Sequence, residues 1–188
     1  MMNAPPSDGP GPSDPGEQTR RWIAEVVVGL DLCPFARVPW ETGRVAVVVA
    51  EAADMESVLT EVLMAATLLL RGPHETTLVV LPGAALEAFD DLLDAVDMAE
   101  ALLDRSGHAD RVQVVGFHPA YRFADTGPDD PANATNRSPH PMVHLLRRAD
   151  VARAAATHPD VSRIPARNVS LLRELGDAAV RARWTPAG

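Results

Sequence analysis

Three short apolar runs rich in β-branched residues alternate with long helical patterns, and this alternation most constrains the fold. The runs are 45–50 (VAVVVA), 77–81 (TLVVL) and 111–117 (RVQVVGF). The two between them, 54–71 and 86–105, carry apolar residues at helical spacing. Asp54 is the expected N-cap of the first, and Gly72-Pro73 its terminator. Leu86, Phe89, Leu92, Leu93, Val96, Leu102 and Leu103 mark the core side of the second. Strands separated by helices of this length predict crossover units. The expected class is α/β: two or three layers, with a small, mostly parallel central sheet of at least three strands and flanking helices. An α+β sandwich with an antiparallel strand is the alternative. The run 45–50 is expected to be a buried strand.

A further helix is expected over 17–30, where Trp22, Ile23, Val26, Val27 and Leu30 share a face. Gly29 and Asp31 weaken its end, and Cys33-Pro34 stops it. Residues 1–16, rich in Pro, Gly, Ser and Asp, read as a disordered tail without signal-peptide character. Residues 17–188 then form one α/β domain. A last helix is expected over 166–183, broken at Gly176.

Composition removes several functions. All 17 cationic side chains are arginine. Without lysine there is no Schiff base, so covalent pyridoxal-phosphate chemistry is excluded. A Walker phosphate loop needs its lysine too, and neither a glycine-rich dinucleotide fingerprint nor a GxSxG elbow is present. Cofactor identity stays open beyond these exclusions. One cysteine, Cys33, rules out an internal disulfide and fits a cytoplasmic protein. No apolar run approaches the roughly 18 residues of a membrane helix. A net charge of −9 and few aromatics argue against nucleic acid. Charge is uneven, however: 51–110 holds 13 acids and 2 arginines, whereas 111–188 holds 11 arginines and 7 acids. The basic half suits a small anionic molecule.

The segment 116–148, GFHPAYRFADTGPDDPANATNRSPHPMVHLLRR, concentrates candidate chemistry. It contains three of the six histidines, the one tyrosine and four arginines. A connection this long usually has a function. His118 follows the third strand, where α/β sheets place ligands, and is a candidate general acid or base. Asn133, Asn136, Arg137 and Ser138 precede an expected helix start, a site that attracts anions. That helix would be capped by Ser138 or His140, with Met142, Leu145, Leu146, Ala149 and Ala152 as its apolar stripe. His144 and Arg147 would project from the opposite side. His140 and His144, four apart, would share a helix face and with His118 or Cys33 give a metal site. Tyr121 and Asp125 would complete a polar pocket. Arg167 and Asn168 either join that pocket or cap the final helix. Cys33 reads either as a nucleophile beside a histidine or as a small buried apolar residue.

Four blocks in this order, LDLCPFA, GFHPAYRFAD, NATNRSPHPMVHLLRR and IPARNVSLLRELG, resemble the bacterial domain-of-unknown-function 1415 family. The resemblance runs from Arg21 to Arg183 and implies a small, soluble bacterial protein. It assigns no activity. The family's cysteine block reads NLCPF where this chain has Asp31, and it carries an aromatic where this chain has His140. The second departure makes His140 a poor essential ligand.

The leading expectation is a small-molecule enzyme doing hydrolysis, elimination or group transfer on a carboxylate-, sulfate- or phosphate-bearing metabolite. Arg137 and Arg147 would hold the anion, His118 would move the proton, and His144 would assist. Cys33 would line the pocket or attack the substrate. The alternatives are a non-catalytic module binding a ligand or partner, and a metal-dependent enzyme using His118, His144 and either Cys33 or an acid.

Overall fold

The computed structural model describes residues 14–184. Asp14 accepts a hydrogen bond from the Glu17 backbone N–H (2.9 Å) and caps α1, Pro15–Trp22. Helix therefore starts two residues before the expected domain boundary, and Gly16 is buried within it. Most of the expected tail, 1–13, lies outside the described residues. α1 continues as a π-helical turn, Ile23–Val28. The chain leaves it through Asp31, whose φ of 55° lies in the left-handed region. Asp and Asn are the non-glycine residues that best tolerate that conformation. A short helix α2, Arg37–Glu41, precedes the sheet.

β1 (Val45–Val49) leads through α3 (Met55–Arg71) to β2 (Thr76–Val80). α3 opens on the expected Asp54, which forms a reciprocal capping box with Ser57. A 3₁₀ turn, Ala84–Leu86, replaces the expected start of the next helix, and α4 spans Phe89–Arg105. β3 covers Val112–Phe117. A loop containing the 3₁₀ turn Pro131–Thr135 leads to β4 (Met142–Arg147) and directly into α5 (Arg148–Thr157). α6 (Ile164–Leu175) and α7 (Asp177–Arg181) are separated by Gly176 at φ 78°, the expected break.

The four strands are ordered β1-β2-β4-β3. β1 and β2 are parallel, whereas β4 is antiparallel to both its neighbours. The α/β class holds, but the sheet is mixed and mainly antiparallel in its pairings. β1, β2 and β3 do run in one direction, joined by the expected helices, and β4 inserts between β2 and β3. The helix expected at Met142 is thus a strand. Met142, Leu145 and Leu146 fit a helical stripe, yet a central strand buried on both faces is also a continuous apolar run, which periodicity alone cannot distinguish. β1 is likewise corrected from a buried strand to an edge strand, with Val48 and Val49 40% and 42% exposed.

Strand alternation builds two cores. Val79, Val112, Val114, Val143 and Leu145 face α3 and α4. Gly116 lies so close to α4 that a Cβ there would sit 3.1 Å from Leu92 Cδ2. On the other face Leu78 and Met142 pack with Trp22, Ile23, Val26 and Leu172. The result is three layers, helix, sheet and helix. No helix among the described residues is long and apolar enough to cross a membrane.

Candidate functional site

The loop after β3 gathers most of the expected site residues, but it uses them to hold itself together. Asn133 is fully buried. Its Oδ1 accepts from Phe123 N (3.0 Å) and Thr126 Oγ1 (2.6 Å), and its Nδ2 donates to Gly127 O (2.8 Å). Asn136 donates to Gly116 O (3.3 Å) and shares a side-chain hydrogen bond with Tyr121. Burial pushes the Tyr121 phenol up, and that hydrogen bond opposes the shift. Its ring packs edge-on against Phe89 and Phe123. Ser138 donates to His140 O (2.7 Å), and His140 pairs with Gln18 Oε1 (2.8 Å). Asp125 is exposed.

Arg137 is 7% exposed, and its guanidinium is occupied. It donates to Tyr121 O (3.2 Å), to Pro128 O and to Asp177 Oδ1 (2.8 Å). Burial works against the Asp177 carboxylate, yet hydrogen bonds from Arg181 and Arg137 hold it below the usual carboxylate range. Arg147 points to the α3 face, where it donates to Leu69 O (3.1 Å from Nε) and Gly72 O. It satisfies carbonyls at the C-terminal end of α3, a favourable place for a cation. The two arginines therefore do not converge on one anion.

His118 is also committed. Ala120 N–H donates to its Nδ1 (3.0 Å), so Nε2 carries the proton and donates to Leu86 O (3.0 Å). Its ring packs on Phe89 of α4. Phe117, the preceding residue, points to the opposite face and packs on His144. His118 and His144 are thus separated by the sheet. Among the described residues, no group of three or more His, Cys, Asp and Glu side chains is placed to hold a metal ion.

What the sequence did not reveal is a cavity of about 320 Å³ on the sheet face opposite α3 and α4. Trp22, Ile23 and Val27 wall it from α1 and its π turn. Cys33, Phe35 and Pro39 close it from the chain around α2, and Val151 and Ala154 from α5. Its floor is sheet: Leu78, Val115, Phe117 and Leu146, with three polar residues on the same face, and Glu75, Arg147 and Asp150 also line the cavity. The three on the floor are Thr76, Gln113 and His144, one on each of three adjacent strands. Thr76 and Gln113 flank Leu146 from opposite sides. The detectable signal was a polar residue at an alternate position within each apolar strand run.

His144 is the chemically distinctive group on this floor. Thr76 Oγ1 donates to Leu145 O (2.8 Å) and so accepts from His144 Nε2. That fixes the proton on Nε2 and leaves Nδ1 as the acceptor nitrogen, with no hydrogen-bond partner among the described residues. Burial holds the imidazole down at about 4, so it is neutral at pH 7. Cys33 shares the cavity, but burial raises its thiol, against backbone hydrogen bonds at Phe35 and Ala36. It is a protonated thiol, not an activated nucleophile. Its segment is anchored from α6, where Arg167 donates to Asp31 O (2.6 Å) and Asn168 to Leu32 O (2.7 Å). The LDLCPFA and IPARNVSLL blocks thus meet in space to position one wall.

No curated protein and no solved structure matches this chain. A family model described as "Protein of unknown function (DUF1415)" matches residues 15–182, from the first turn of α1 to just past α7, and the chain belongs to that family.

Proposed function

We propose that this protein binds a small, mostly apolar molecule in the cavity beneath α1 and α5, with His144 Nδ1 accepting a hydrogen bond from it. The observation that carries this reading is a neutral histidine with one nitrogen committed to Thr76 and the other unpartnered, set in an apolar chamber. Small-molecule sites are usually such chambers, with a few placed polar groups. The volume, about 320 Å³, lies at the small end of ligand sites. This reading gives Arg137 and Arg147 architectural work in place of the anion clamp expected of them.

The test uses N-phenyl-naphthylamine, a neutral fluorescent probe, with the wild type and Ala154→Trp, a substitution that fills the chamber from α5. Saturable binding near one probe per chain that is lost in Ala154→Trp is the expected result. Val151→Trp repeats the test should the first variant unfold. Absent binding to the wild type, or equal binding to both folded variants, sinks the proposal.

A second reading, catalysis, is favoured by the imidazole and the thiol lining one chamber. His144 would then take a proton from the bound molecule. Its measurement is mass spectrometry of a metabolite extract incubated with wild type or His144→Gln. A compound consumed only by the wild type supports an enzyme, and no difference supports binding alone.

A further inference from the structure

The charged side chains that line the cavity are committed to partners. Arg147 spends its guanidinium on the Leu69 and Gly72 carbonyls, Glu75 is paired with Arg44, and Asp150 with Arg153 (2.6 Å). The Thr76 hydroxyl is used on both sides, by Leu145 O and by His144 Nε2. Among the described residues, three buried side-chain polar atoms lack a hydrogen-bond partner: Trp22 Nε1, His108 Nδ1 and Asp150 Oδ2. All three are closed off from a water-sized molecule, so none of them offers a hydrogen bond to a ligand.

Two polar groups of the lining remain. His144 Nδ1 and the Gln113 side-chain amide have no hydrogen-bond partner among the described residues, and neither belongs to the closed-off atoms. Each is therefore open to the chamber that both residues line. Polar groups inside a protein are paired with protein, water or a ligand, so both call for a partner from within the chamber.

The strand register sets these two groups beside one another. Gln113 lies opposite Leu146, and His144 opposite Val115, so Gln113 and His144 stand on a cross-strand diagonal. Side chains on such a diagonal leave the sheet on the same face, about 7–8 Å apart, within reach of long side chains. Two other diagonals of His144 are already bridged. Thr76, opposite Leu146 on β2, takes the Nε2 proton, and Phe117, opposite Met142 on β3, packs its ring on the imidazole at 5.9 Å. On the Gln113 diagonal the two polar groups do not meet, and the space between them fits one small polar group.

Nδ1 accepts and does not donate, because the ring proton sits on Nε2. A group that reaches it must bring a donor. The Gln113 amide offers both a donor and an acceptor, but an orphaned amide N–H is a rarer defect than an under-used carbonyl, so its NH₂ calls for an acceptor. A hydroxyl oxygen meets both needs with one atom. We infer that the ligand is an apolar hydroxyl compound, a phenol or an alcohol, whose O–H donates to His144 Nδ1 and whose oxygen accepts from the Gln113 amide. This rests on the cavity being a ligand site and names the class of ligand. An ether or a ketone lacks the donor. A carboxylate would set its lone pairs against Nδ1, and Arg147, the cation of the lining, is already engaged by α3.

The experiment is calorimetric titration of the wild type with para-propylphenol and with its methyl ether, para-propylanisole, repeated with His144→Phe and Gln113→Leu. The expected result is phenol binding at least about tenfold tighter than the ether, a preference erased in His144→Phe and at least about threefold smaller in Gln113→Leu. Should His144→Phe fail to fold, Gln113→Leu carries the test alone. An unchanged preference in Gln113→Leu overturns the assignment. Equal binding of phenol and ether, lost together in Ala154→Trp, overturns the hydroxyl assignment and leaves the cavity a ligand site. Tighter binding of the ether overturns it as well. So does binding of neither, and then the naphthylamine titration decides separately whether the cavity binds ligands.

Discussion

The hydrogen bond between His144 and Thr76 has a fixed direction, because Thr76 gives its own proton to Leu145 O. His144 donates through Nε2 whether or not Nδ1 is protonated, so burial and not this hydrogen bond keeps the ring neutral. Its acid form would place a charge in an apolar chamber.

Stability should therefore fall as the pH drops. The folded imidazole titrates at about 4, below the ordinary 6.5 of an unfolded chain. Below 6.5 the unfolded state takes up the proton first, so the stabilisation is complete above that value and is lost as pH falls towards 4. The loss attributable to this residue amounts to about 3 kcal/mol or less. Denaturant melts of wild type and His144→Gln between these values check it: the wild-type curve is the steeper of the two, and parallel curves would contradict the assignment.

Arg147→Ala should destabilise the protein by about 2 kcal/mol, because Leu69 and Gly72 carbonyls lose a charged donor at the end of α3. Naphthylamine affinity should stay within about threefold, since the guanidinium is engaged by α3 carbonyls although Arg147 also lines the chamber. Urea melts and probe titrations on the same sample separate the two effects.

Arg137→Ala should cost about 3 kcal/mol by leaving Asp177 and two loop carbonyls short of a donor. Phosphate or sulfate should raise the melting temperature of wild type and variant equally. Anion stabilisation confined to the wild type would restore the anion clamp.

Asp31→Val should cost about 1–2 kcal/mol, because a β-branched residue is strained at φ 55°. Asp31→Asn should fall within about 0.5 kcal/mol of wild type, since it keeps the tolerance for that conformation and loses only an exposed ion pair with Arg167. Thermal melts of both variants compare the two costs.

Much of the fold was legible because its helices announce themselves. Asp54 and Gly72 bound α3 as expected, and Gly176 breaks the last helix where glycine best permits it. β4 was not legible, since MVHLLR satisfies a helical stripe and a doubly buried strand equally well. That one ambiguity changed which side chains the structure brings together. On a helix, His144 and Arg147 would share a side with the loop arginine. On a strand they alternate: the His144 ring lies on the α1 side with Phe117, whereas the Arg147 guanidinium reaches carbonyls of α3. The loop's Asn133, Asn136, Arg137 and Tyr121 were expected at a site and are seen holding the loop together, because polar residues that fold a long loop look in sequence like those that bind a ligand. Trp22 and Phe117 read as core, because nothing in a sequence separates a wall that packs from one that lines a cavity.

A crystal structure of the protein with N-phenyl-naphthylamine tests the central claim most directly. The account predicts the probe in the chamber, between Trp22 and Asp150, with its N–H directed at a polar group there. Density confined to exposed apolar side chains such as Met64 and Leu68 on α3 would contradict it.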